Sequence, residues 1–230
     1  NLKKQPWDFM HIAAELYVLT GHIDSAQEYI LKMKHKGVNP EFASYLQGLI
    51  AEQQGNQYAA IHHWQDARQK GFQSEKLNIL LANAYYKIGD LKSSIKTLQS
   101  HLINNPGDYR SRLILARIHF EKKDYDKSLE QIEMANRIYG KVSAETAALE
   151  LKCRFLLLES SPAINNDQAV QNLAGRINDL AQKFPDSSEI QILKLNFTKA
   201  YEGNEKAIKL LKEYKKENPV TMEMELSEAD

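Results

Sequence analysis

One cysteine, Cys153, is all the thiol chemistry this 230-residue chain contains. A lone thiol cannot close an intrachain disulfide, so the sequence carries no disulfide framework and reports no redox compartment. Cys153 lies between Leu151 and Phe155 in a helical pattern, where a thiol behaves as a small buried hydrophobe. An excess of either charge is also missing: 30 Lys and Arg stand against 30 Asp and Glu. A nucleic-acid binder ordinarily needs a basic surplus to displace counterions, so that class of partner is disfavoured. Long apolar runs are absent too. Phe155–Leu158 is among the longest bulky ones, far short of the roughly 20 residues that cross a bilayer, and no membrane span is expected. No secretory leader pattern occurs at Asn1, and cytoplasm and periplasm both stay open.

Patterns that carry chemistry are missing as well. The glycines punctuate helix ends instead of forming a phosphate-binding loop, and no Gly-x-Ser-x-Gly elbow occurs. Carboxylates alternate with lysines at helical spacing, as on solvated faces. Among seven histidines, His62 and His63 are adjacent and point about 100° apart on a helix, so they cannot share an ion. Neither a His-x-x-x-His nor a Cys-rich pattern is present. The expectation is a chain without catalytic residues, metal or cofactor, and therefore not an enzyme.

What the chain does have is a period. Gly21, Gly55 and Gly89 recur at 34 residues, and Lys123 continues the count. The same interval links Ala14, Gly48, Ala82 and Ala116, then Ala26, Ala60, Ser94 and Ser128, then Ile30, Trp64, Leu98 and Ile132. A fixed period of this length marks stacked helix-turn-helix units, each burying its apolar face against its neighbours. Small residues let two helices approach closely, and Tyr17, Tyr85, Trp64 and Leu98 fill the gaps between pairs. Asn56, Asp90 and Asp124 are suited to cap the second helices. Lys123, standing where glycine recurs, is expected to cost up to about 1 kcal/mol if it takes the left-handed conformation. His119 falls in the slot of Tyr17 and Tyr85, and His101 in a small-residue slot.

The repeats read as residues 7–40, 41–74, 75–108 and 109–142. A degenerate fifth follows at 143–186 with an inserted loop at 159–166, then a sixth at 187–219. Residues 220–230 read as the start of a further helix or a tail. Ala229 stands where a next repeat would place its small residue, so the expectation is a piece excised from a longer array. The inserted loop is either a binding feature or drift in a tolerant surface connection.

The slots resemble the tetratricopeptide repeat family: Ala82, Tyr85, Gly89-Asp90, Leu98 and Pro106 match it best. The resemblance covers essentially the whole chain, strongly to Tyr139. It implies an all-α, right-handed superhelical solenoid of antiparallel helix pairs. It also implies that the first helix of each pair lines a concave face. Carried over residue by residue, it gives a groove lined by Tyr45, Lys76, Asn83, Tyr86, Arg110, Leu113, Arg117, Phe120 and Arg154. His11, Glu15, Val18, Phe42, Leu49 and Glu52 fall on its earlier part.

Lys76 and Asn83 are seven residues apart, as are Arg110 and Arg117, so each pair shares one helix face. Arg, Lys and Asn can hold a carboxylate through charge-assisted bonds. The four resemble, in part, the carboxylate clamp of tetratricopeptide domains that capture chaperone C-termini. The preceding repeat, however, offers Tyr45 and Leu49 in the corresponding slots and the following one Ala144 and Ala147. A solvated basic face, or pairing with Glu15 and Glu52, stays open beside the binding reading. The asparagine ladder of the family's glycosyltransferases is replaced by Ile12, Leu46, Leu80 and Ile114, expected to form a buried apolar stripe.

The function expected is a non-catalytic scaffold that binds a peptide or protein segment, one carrying acidic or C-terminal carboxylate groups, in its concave groove. The alternative is a regulatory or assembly arm of a larger enzyme or envelope-bound machine. Self-association through the terminal repeats is a further partner class. The repeats, rich in Lys, Gln and Asn, are bacterial in style.

Overall fold

The computed structural model describes residues 6–160 and 167–217. Among these residues there are twelve α-helices and no strand. In chain order they are α1 (Pro6–Leu19), α2 (Ile23–Lys36), α3 (Pro40–Gln53), α4 (Gln57–Gln69), α5 (Glu75–Lys87) and α6 (Leu91–Asn104). There follow α7 (Tyr109–Glu121), α8 (Tyr125–Tyr139), α9 (Ala144–Ser160), α10 (Asp167–Lys183), α11 (Ser188–Tyr201) and α12 (Asn204–Glu217). Of the loop expected at 159–166, residues 159 and 160 end α9 and the rest lies outside the described residues, as does 220–230 with Ala229. The helices form two units. The first, with α1–α6, runs to Pro106, and the second, with α7–α12, starts at Gly107.

The turns inside the pairs are built alike. Gly21, Gly55 and Gly89 take φ of 78°, 75° and 79°, and Lys123 takes 60° at the equivalent place. This left-handed conformation lets the chain reverse within three residues between α7 and α8, and it is one that a side chain disfavours. Asn56 accepts from the Ala59 N–H at 3.0 Å and Asp90 from the Ser93 N–H at 3.0 Å, each satisfying an orphan donor of the first turn. Asp124 departs from the expectation. Its carboxylate caps no backbone N–H and instead accepts from Lys127 Nζ at 2.7 Å.

Packing follows the small-residue slots. In the first unit α1 packs on α2 and α3, and each later helix packs on the next. Gly48 of α3 faces the fully buried Trp64 of α4, whose indole N–H donates to the Tyr45 carbonyl at 3.2 Å. In the third pair Ser94 donates to the Ala82 carbonyl at 2.7 Å. In the second unit Ser128 repeats that bond to the Ala116 carbonyl at 2.8 Å. The small residue thus does two things: it admits the neighbouring helix, and it exposes a carbonyl that the neighbour's polar side chain satisfies. Cys153 is fully buried in the second unit, its thiol donating to Ser128 Oγ at 3.3 Å.

The stripe expected from Ile12, Leu46, Leu80 and Ile114 is only partly buried. Leu46 is fully enclosed, Leu80 and Ile114 are half-buried, and Ile12 is 68% exposed. Leu46 follows α2 in the chain and is covered by the pair before it, whereas no described helix precedes Ile12. His119 and His101 are both buried. Burial first of all holds His119 below the usual imidazole range, against the opposing charge of Asp124, and its ring packs in the aromatic slot.

Two substitutions test these constraints. A methyl group on Gly48 would lie well inside contact distance of the Trp64 indole. Gly48→Ala is expected to destabilise the chain by about 1–3 kcal/mol, the usual cost of overpacking, measured by urea unfolding. Lys123→Gly is expected to stabilise it by roughly 1 kcal/mol through relief of the left-handed strain.

Candidate functional site

The first-helix residues fall into two sets, one per unit. In the first unit Tyr45 is only 2% exposed, so its ring belongs to the core and only its hydroxyl reaches the polar face. That hydroxyl donates to Glu15 Oε1 at 3.2 Å, and Lys76 Nζ donates to the same oxygen at 2.9 Å. The row therefore spans α1, α3 and α5. Burial, then the Glu15 charge, raises the Tyr45 hydroxyl above the usual phenol range. For Lys76 burial works downward, but the bonds to Glu15 and Tyr45 outweigh it and the ammonium ends above its ordinary value. A second rung joins Lys87 Nζ to Glu52 Oε1 at 3.0 Å. Asn83 and Tyr86 are half-buried on α5. Val18 and Leu49 are core residues rather than lining.

Beside this row lies an aromatic cluster. Phe42 sits 4.7 Å from His11, centroid to centroid, and 5.7 Å from Tyr45, while Phe72 stacks on Tyr45 at 4.6 Å. His11 is held by the Asn39 amide at 2.5 Å. Such packing orients the rings against one another.

In the second unit Arg117 is exposed and paired with Glu145 of α9. Arg110, also exposed, lies with its guanidinium 5.9 Å from the centre of the Tyr109 ring, which itself stacks on Tyr139 at 4.5 Å. Leu113 is half-buried and opens into a small cavity of about 190 Å³. Phe120 packs against Tyr125 at 5.6 Å and covers the cluster of Ala116, Ile132 and Cys153. The charge pairing foreseen with Glu15 and Glu52 is thus what the first unit shows, but Glu52 takes Lys87 rather than a residue of the expected patch.

Arg154 belongs to a network that the sequence pattern did not disclose. Its Nε donates to Glu150 at 2.9 Å, and its Nη2 lies 3.7 Å from Glu133 of α8. Arg176 of α10 grips the same Glu150 through Nε at 3.1 Å and Nη2 at 2.8 Å. Glu150 is only 4% exposed. Burial pushes its carboxyl upward, but the bonds and charges of Arg176 and Arg154 outweigh burial and leave it below the usual carboxylate range. One signal could have found it: the count from Ala82 through Ala116 reaches Glu150 after another 34 residues. A carboxylate in a slot that otherwise holds a small residue calls for buried partners. Among the described residues, no group of three or more His, Cys, Asp or Glu is placed to hold a metal. No helix among them is long and apolar enough to cross a membrane.

Comparison with known proteins agrees with this architecture. The tetratricopeptide repeat model matches residues 79–141. That segment belongs to the tetratricopeptide repeat family. The chain as a whole has the family's all-α solenoid fold. A tetratricopeptide repeat protein from Parabacteroides merdae superposes with a TM-score of 0.70 at 15% identity, over 96% of this chain and 83% of that one. PilF of Pseudomonas aeruginosa gives 0.69 at 13% identity, over 96% of both chains. YrrB, described as a tetratricopeptide protein with an unusual peptide-binding site, gives 0.62 at 16% identity, over 79% of this chain and 88% of its own. No curated protein sequence matches significantly. A tetratricopeptide fold supports a protein–protein interaction scaffold.

The buried carboxylate of the fifth pair yields a pH-dependent prediction. Because the folded carboxyl titrates below its unfolded value, its contribution is complete above the ordinary carboxylate range and is lost as pH falls through the folded value. Glu150→Gln is expected to lower stability by about 2 kcal/mol at neutral pH. The gap between variant and wild type, followed by urea unfolding, is expected to close as the pH is taken below about 4. A gap that is constant with pH would remove the ion network from this role.

Proposed function

We propose that this chain is a non-catalytic scaffold whose first helices bind an extended or helical segment of a partner protein, with acidic groups of that segment meeting the cationic side chains. Supporting this reading is the ordering of those side chains before any partner arrives. Lys76 is fixed by Glu15 and Tyr45, and Arg117 by Glu145. A preformed face leaves most of the ordering cost to the partner, and rigid preorganisation improves affinity by reducing what the scaffold must lose. The peptide-binding site named for YrrB shows that a protein of this fold can take a peptide. In the first unit the contributing residues are Lys76, Asn83 and Tyr86, with the Tyr45 hydroxyl beneath them. In the second they are Arg110, Leu113, Arg117, Phe120 and Arg154.

The internal ion pairs give the proposal a specific form. An acidic partner at Lys76 must compete with Glu15, and one at Arg117 must compete with Glu145. Competition of this kind selects for segments offering several carboxylates or a bidentate contact to Arg. The test compares three full-length proteins in affinity capture from source cells: wild type, Lys76→Glu, and Arg110→Glu with Arg117→Glu. Exchange of exposed cations is expected to leave helicity unchanged and to weaken retention of the partner by about tenfold or more, which corresponds to roughly 1.4 kcal/mol. A partner retained equally by all three would remove the first-helix faces from the interaction.

A further inference from the structure

The second unit carries a groove that the first-helix reading does not use. It lies between α8 and α10 with α9 as its floor, and its volume is about 820 Å³, within the range of sites that enclose small ligands or short peptide segments. The corresponding groove of the first unit, between α2 and α4 over α3, has about 340 Å³ and holds no arginine. The larger groove is lined by three, Arg137, Arg154 and Arg176, with the amides of Asn136 and Asn172. Its remaining wall is aliphatic, chiefly Leu129, Val142, Leu157 and Leu173.

Two carboxylates face these three guanidinium groups, and they are not equivalent. Glu150 is enclosed and has both oxygens engaged by Arg154 and Arg176, so it is a fixed part of the wall. Glu133 is exposed and only 3.7 Å from one Arg154 nitrogen, too long for a strong hydrogen bond. Each guanidinium has five N–H donors. Arg176 uses two of its donors on Glu150, and Arg154 uses one. Arg137, in the last turn of α8, is exposed and has no ion-pair partner among the described residues. The groove therefore offers one uncompensated cation, further oriented donors, and an apolar wall beside them.

We propose that this groove is a second peptide site, which takes one carboxylate next to aliphatic side chains from a partner segment. The carboxylate meets Arg137 and the outward donors of Arg154, and the aliphatic part covers Leu157 and Leu173. Glu150 holds Arg154 and Arg176 in place, so two of the three donors are preorganised. The carboxylate comes either from a chain terminus or from an Asp or Glu side chain. The site is separate from the proposed first-helix face, apart from Arg154, and does not depend on it.

Three probes separate these cases against the full chain. They are acetyl-Gly-Leu-Leu with a free C-terminal carboxylate, acetyl-Gly-Asp-Leu-Leu amide, and acetyl-Gly-Leu-Leu amide, which has no charge. The arginine Nε–H and leucine methyl NMR signals report binding. A saturable shift at Arg137, Arg154 and Leu157 is expected from one or both acidic probes, and which of them acts names the source of the carboxylate. The neutral probe is expected to bind about tenfold more weakly, and Arg137→Gln to weaken the acidic probes about fivefold with circular dichroism unchanged. Equal binding of the neutral probe, an unaltered affinity in Arg137→Gln, or no saturable shift from either acidic probe would each overturn the proposal. None of these results bears on the capture experiment at Lys76, Arg110 and Arg117.

Discussion

Close approach of paired helices is the constraint on which everything else in each unit depends. At Gly48 the Trp64 indole occupies the space a side chain would need and bonds to the backbone of α3. At Ala82 and Ala116 a serine from the second helix donates to the carbonyl of the small residue itself. These are one solution written with different residues. The backbone of the first helix is brought near enough to be touched, and the touching atom is polar. An apolar side chain there would pack, but it would leave no directional contact to fix the register of one helix on the other. The bond at each slot is worth only about 1 kcal/mol net; its greater effect is on geometry.

The fifth pair shows what happens when the slot is lost. Glu150 stands where the count requires a small residue, and the two helices are joined by a carboxylate held between two arginines. Both helices of that pair are 17 residues long, against 13 to 15 in the other pairs. An ion network of this size keeps side chains where a small-residue slot would bring backbones together, and α8 and α10 flank an open groove over α9. The cost of burying a carboxylate is met by three charge-assisted hydrogen bonds. Loss of the small-residue slot and the larger groove thus occur at the same pair, with Glu150, Arg154 and Arg176 belonging to both.

Much of the fold is legible in the sequence because a 34-residue period repeats the same steric problem. Gly21, Gly55 and Gly89 mark the turns, and even the substituted position, Lys123, keeps the left-handed φ. What spacing reports is face, not depth. Tyr45, Val18 and Leu49 fall on the first-helix face by count, yet all three are buried. Ile12 belongs by count to a stripe whose member Leu46 is fully enclosed, yet it is exposed, because burial depends on the neighbour and the neighbour is not encoded in the position. Partners are harder still. Lys76 meets Glu15 across 61 residues, and Arg176 meets Glu150 across a break in the register. Asp124 has the residue type of a cap but finds a stronger partner in Lys127.

Zero net charge takes on a different meaning once those partners are known. Read as composition, it argues against charge-led recognition. In the folded chain the balance is local: Lys76 is answered by Glu15, Lys87 by Glu52 and Arg117 by Glu145. Each of these three cations carries its own competitor, so a partner gains there only by the difference between its carboxylate and the resident one. On the proposed reading, a singly charged segment gains little at these three cations, and selectivity follows from the competition. In the groove over α9 the balance fails by one guanidinium, and the one carboxylate there that is fully engaged is buried too deeply to compete for it. Charge neutrality of the whole chain therefore coexists with a groove whose lining holds three guanidinium groups against two carboxylates, and that groove lies where the repeat departs from its own rule.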